Sequence, residues 1–273
     1  VMVAAHMDEI GIIATHIEKD GFVRFAAVGG VFPRNLQGGR IRFMNGTRGV
    51  IGTEESKPGE SSPIDKCFID VGAISDKDHP IQIGDVAGFD REFAELGNKW
   101  VAKSMDDRIG VAIGIEALKK ITKSPNDIYM VFTTQEEVGT RGAETSTFSI
   151  DPDLGIALDV TTWGDTPGLK GFAIALGKGP AIKIKDTGMI SDPKVVRWMI
   201  NTAEENKIPY QREVLLGGTT DARAMQLSRS GVPVSVISIP CRYVHSPSEM
   251  VDSNDVQNAV ELLTKLLENP IRL

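Results

Sequence analysis

The sequence predicts an α/β fold: a mixed sheet with helices on both faces, interrupted by a small inserted β-rich module. Three observations carry that prediction. The chain opens on the apolar run VMVAA, which reads as a buried strand. From residue 11 to about 97 it consists of short β-like runs broken by Gly, Pro and Asp, with almost no helical periodicity. From about residue 98 helices and strands alternate to the end. The opening strand belongs with the later alternation, so residues 1–10 and 98–273 form one α/β domain and residues 11–97 an insertion, a small barrel or sandwich.

The elements follow in order. Within the insertion, GFVRFAAVGGV, GGRIRFM, RGVIGT, KCFIDVGA and IGDVAGF read as strands, and the polar stretch 54–66 as a mobile loop. MDDRIGVAIGIEALKKI places Ile109, Ala112, Ile113, Ala117 and Ile121 at helical spacing. DIYMVFTT and LGIALDV are buried strands. In DPKVVRWMINTAEENK, Asp192 is placed to cap a helix whose first residue is Pro193. DARAMQLSRSG predicts a short helix closed by Gly231, and VPVSVISIP a strand. The last helix presents Val256, Ala259, Val260, Leu263 and Leu267 on one face, with Pro270 after its end.

Composition narrows the function. Hydrophobic residues make up 41% and charged residues 25%, as in ordinary globular proteins. A net charge of -7 argues against nucleic-acid binding through phosphate neutralisation and against an anionic membrane surface. No apolar run approaches the roughly 20 residues that span a bilayer. The start lacks a basic leader and meets charge by Asp8, so no signal peptide is expected there. It also begins without Met inside a strand-like run, which suggests a longer chain upstream. Cys67 and Cys241 lie far apart, which suits packed, reduced thiols and a cytoplasmic setting.

Polar residues gather where the apolar strands end. VMVAA is followed by His6 and Asp8, MVFTTQ by Glu136 and Glu137, and VISIPCRYV by His245; IALD ends in Asp159. One helix starts with Asp106 and Asp107. In α/β sheets ligands bind beyond the carboxyl ends of the strands, and imidazole with carboxylate is a donor set for divalent metals. Each residue has a plainer role open to it. One aspartate of the 106–107 pair can cap the helix, His6 can be a core histidine, Asp159 a strand-end surface residue and His245 a plain loop histidine. The two glutamates can be a solvated pair; His16 and His79 read as surface residues. Against this, His6 and Asp8 share a face in an extended chain, so Asp8 can fix the imidazole. A two-metal hydrolase also gives adjacent glutamates separate work: Glu137 as a metal ligand, Glu136 as the base that moves a proton.

AHMDEIG, SMDDRIG, TTQEEVGTRGA, ALDV, LGGTTDARA and RYVHSPSE, in this order over essentially the whole chain, resemble the M42 metallo-aminopeptidases, the tetrahedral or TET enzymes similar to glutamyl and deblocking aminopeptidases. The resemblance implies two divalent ions, zinc or cobalt. His6, Asp106 and Asp159 would hold one, and Asp106, Glu137 and His245 the other, with Asp106 bridging. Asp8 would orient His6, and Glu136 would serve a metal-bound hydroxide as general base. The Asp106–Asp107 peptide would be cis. The insertion would be a PDZ-like dimerisation domain, with dimers assembled into a tetrahedral dodecamer, and the substrates short peptides cut at their N-termini. Asp221 is open between meeting the peptide amine and capping the helix after it. Two rival readings are an endoglucanase-like glycoside hydrolase, which needs two facing carboxyls but no histidines, and a non-catalytic peptide-binding assembly protein.

Overall fold

In a computed structural model, residues 1–54, 62–169, 171–271 and 273 are described. Of the polar stretch expected to be a loop, residues 55–61 lie outside them, and residues 64–66 form a 3-10 turn. The first strand, β1 (Met2–His6), is buried throughout. The chain then builds β2 (Gly11–Ile17), β3 (Val23–Val28), β4 (Arg40–Phe43), β5 (Arg48–Thr53), β6 (Cys67–Asp70) and β7 (Val86–Phe89). These six close into an antiparallel barrel in the order β2-β3-β6-β5-β4-β7. Alternation fills it: Ile12 and Ala14, Val23 and Phe25, Ile41 and Phe43 each point inward from one strand.

The remaining elements are β8 (Ala94–Leu96), β9 (Lys99–Ala102), α1 (Met105–Lys120), β10 (Tyr129–Thr133), α2 (Arg141–Ile150), β11 (Gly155–Thr161) and β12 (Ala181–Lys185). Then come α3 (Pro193–Glu205), β13 (Gln211–Val214), α4 (Asp221–Gln226), β14 (Val234–Arg242), β15 (Glu249–Asp252) and α5 (Ser253–Glu268). Nine strands make one mixed sheet, ordered β10-β1-β11-β14-β15-β9-β8, with β12 beside β14 and β13 beside β12. The centre, β10-β1-β11-β14, is parallel. β14 is long enough to pair with β12 along its first half and with β15 at its end. β8 pairs with β9, so residues 94–96 return to the large sheet before residue 98.

Period-two alternation decides which helices cover which face. Val1, Val3 and Ala5 join Ile156, Leu158 and Ile237 in a cluster with α1, α3 and α5. Met2 and Ala4 join Ala157, Val234 and Val236 in a second cluster against α4 and the end of α2. His6 and Asp159 continue this second face beyond the cover of α4.

Asp192 caps α3 as expected, accepting from the amides of Lys194 and Val195, with Pro193 in the first turn. In α1, Ala112 is exposed and glycines 110 and 114 take the buried face instead. α4 stops at Gln226, and Gly231 lies in the following turn rather than closing the helix. His79 is half-buried, its ring between the carbonyls of Ile81 and Gly21, not a free surface residue; His16 is exposed.

Candidate metal centre

The strand ends bring the residues together. His6 is the last residue of β1 and is buried. Its Nε2 lies 3.0 Å from Asp106 Oδ1 and 4.0 Å from both Glu136 Oε2 and Asp159 Oδ1. His245, in the turn after β14, approaches from the other side: its Nε2 is 3.3 Å from Asp106 Oδ2 and 3.3 Å from Glu137 Oε2. Asp106 therefore offers one oxygen to each imidazole. The two glutamates sit in the turn that follows β10, and their side chains diverge. Glu136 faces His6, and Glu137 faces His245.

Asp8 lies two residues beyond the end of β1, with Oδ1 3.5 Å from His6 Nδ1. Its carboxylate also accepts from the backbone amides of Glu136 (3.2 Å) and Glu137 (3.3 Å). It thus ties the β10 loop to β1, a contact between residues far apart in the chain. The Asp106–Asp107 peptide bond is cis. Asp107 is fully buried, and its Oδ1 accepts from the Gly110 amide, which is the capping role open to one of the pair.

Glu249 was not expected here. This buried residue opens β15, and its two oxygens accept from the backbone amides of Asp106 (3.0 Å) and His245 (2.8 Å). Asp221 lies beside the cluster, close enough for its charge to act on Glu136 and Asp107. It is buried, accepts a hydrogen bond from the Thr133 hydroxyl, and is absent from the lining of the cleft described below. The cap of α4 is Thr220. Asp221 therefore does not cap α4.

The electrostatics fit a cationic guest. Among the described residues, the ion pairs of Asp106, Glu136, Glu137 and Asp159 are all with His6 or His245. Burial, reinforced by neighbouring carboxylates, holds Asp107 and Asp159 well above the usual carboxylate range and Glu136 at about 8. Burial opposes charge on the imidazoles, but the carboxylates outweigh it: Asp106 and Asp8 raise His6, and Asp106 and Glu137 raise His245 to about 11. Asp106, although buried, is held far below the ordinary range by the two histidines. Among the described residues, Glu137 Oε1 and Asp107 Oδ2 are buried without a hydrogen-bond partner, a state that costs about 1–3 kcal/mol or more per group. His6, Asp106 and Glu137 can bring donor atoms within 4.8 Å of one another, as can His6, Asp107 and Asp159. The second group includes Asp107, a residue whose position at a helix start points to capping rather than to metal binding.

The cluster forms one wall of a cleft of about 880 Å³. Trp163, Phe172, Leu215 and Leu216 supply apolar surface, and Arg34 and Arg223 stand among the other lining residues.

A family model described as M42 glutamyl aminopeptidase matches residues 1–262. The chain is 40% identical over 284 residues to a lysyl aminopeptidase of Pyrococcus furiosus, covering 98% of this chain and 81% of that protein. Aminopeptidase APDkam598 of the archaeon Desulfurococcus kamchatkensis shares the fold at a TM-score of 0.95 with 45% identity, over 98% of this chain and 79% of that one. The TET1 peptidase of Pyrococcus horikoshii, described as assembling into a tetrahedron or a large octahedral shell, matches at 0.88 with 32% identity, over 97% and 82%.

Proposed function

This chain belongs to the M42 aminopeptidase family of peptide hydrolases, and from that premise we propose that it removes N-terminal residues from short peptides at a two-metal centre. The placement of Asp106 between the two imidazoles, with Asp159 and Glu137 beside them, carries the reading. His6, Asp106 and Asp159 would hold one divalent ion, and Asp106, Glu137 and His245 the other. Nitrogen and oxygen donors of this kind suit zinc or cobalt. Bound ions of this type supply a water ionised near neutral pH and a Lewis acid for the scissile carbonyl.

The chain's own residues do the rest. Glu136 takes up a proton at a carboxylate oxygen and delivers it to the departing amine. Asp8 holds the His6 ring and the loop bearing both glutamates. The acidic wall attracts a free peptide amine and so favours chain ends. The apolar wall takes up side chains and displaces water. A glycosidase reading leaves the two histidines without a task.

The same reading makes residues 11–97 the inserted pairing module and residues 1–10 and 98–273 the catalytic part. It places the protein in a cytoplasm, where an assembled shell would keep an open peptidase from folded proteins.

Peptides and aminoacyl p-nitroanilides with free and with acetylated N-termini test the activity, assayed before and after chelation and on return of zinc or cobalt. Metal-dependent release from free N-termini alone is expected. Cleavage of acetylated and free substrates alike, or full activity in chelator, would contradict the reading.

A further inference from the structure

The barrel reaches into the metal centre. The segment after β3 runs Gly29-Gly30-Val31-Phe32-Pro33-Arg34-Asn35 and lies against His245 and Glu137. A Cβ at Gly30 would stand 2.4 Å from His245 Nδ1 and 2.5 Å from its Cε1. Gly30 lies outside the left-handed region, and the nearest atoms an added side chain would meet are those of the His245 ring. A Cβ at Gly29 would stand 3.0 Å from Glu137 Cβ and 3.2 Å from its Oε2. The Phe32 ring lies 5.9 Å from the imidazole, and Asn35 Nδ2 donates to the His245 carbonyl at 3.0 Å.

His245 needs that support. Its φ is +60°, in the left-handed region that non-glycine residues rarely occupy without local support. Its backbone is held at both ends, the amide by Glu249 and the carbonyl by Asn35. One clamp comes from the α/β domain and the other from the insertion.

We infer that the Gly29–Asn35 segment is a positioning element for the His245 side of the metal centre, so that the inserted barrel is part of that site. The inference rests on His245 and Glu137 being ligands. Gly30 leaves the ring the space it needs for Nε2 to face Asp106 and Glu137, and Asn35 fixes the turn that carries it.

The test follows the metal content of the full chain, loaded with zinc and dialysed against graded chelator, for wild type, Gly30→Ala, Asn35→Ala, His245→Ala and the exposed barrel control Thr15→Ala. Wild type and T15A are expected to keep two ions. H245A is expected to lose one readily. G30A and N35A are expected to release one ion at about 10- to 100-fold lower chelator, the range for losing a supporting contact, with the second ion and the melting temperature unchanged. If H245A loses an ion but G30A and N35A hold both as tightly as wild type, the inference fails and the ligand reading stands. Loss of both ions together with a lowered melting temperature in G30A and N35A would also overturn it, as a general folding role. If H245A itself keeps both ions, the ligand reading fails and takes the inference with it.

Discussion

Adjacent glutamates are ambiguous on paper because a strand sends neighbouring side chains to opposite faces. Here the loop after β10 gives each its own imidazole. Glu136→Gln should retain both ions and the fold while turnover falls at least about 10²- to 10⁴-fold, the usual share of a general base. Near-normal turnover with full metal content would remove Glu136 from that role. His6, Asp8, Asp106, Asp159, Glu136, Glu137 and His245 could be picked out because each follows an apolar run or starts a helix. Glu249 and Gly30 could not. Their importance lies in contacts across the fold, from Glu249 to the Asp106 amide and from Gly30 to His245, and no local pattern encodes such a pairing. Asp221 shows the opposite limit: its place next to α4 resembles a cap, but Thr220 takes that position and the Asp221 side chain turns to Thr133.

At the scale of elements, caps and periodicity predicted α3 and α5 well, since both depend on neighbours in sequence. The AIKIK run of β12 shows where that reading stops. Alternation says that Lys183 shares a face with Ala181, not that the face is covered. In the fold Lys183 is fully buried, 3.4 Å from the buried Glu213 and 4.0 Å from the buried Asp186. Glu213 also accepts from Thr161, two residues beyond Asp159 on β11. Removing one member of a buried pair strands the other, so Lys183→Met should destabilise the chain by about 3–5 kcal/mol. The double variant Lys183→Met/Glu213→Gln should recover part of that loss. Denaturant midpoints at unchanged slope measure both, and a K183M loss below about 1 kcal/mol would show that the pair matters little to stability.

At the scale of the molecule, the division into an inserted barrel and an α/β sheet was visible as a change in strand and helix rhythm. The barrel's closure and its approach to His245 were not, because strand pairing across a whole module is not a local property. Among the described residues no helix is long and apolar enough to cross a membrane. The assemblies described for the TET1 peptidase support a homo-oligomer here. Light scattering should find particles far larger than one 29.5 kDa chain, and monomers alone would contradict it. The central claim is the pair of ions bridged by Asp106. Anomalous diffraction from crystals grown with zinc tests it most directly. The account predicts two peaks per chain, one beside His6 and Asp159 and one beside Glu137 and His245, with Asp106 touching both. A single peak, or none within reach of Asp106, would contradict it.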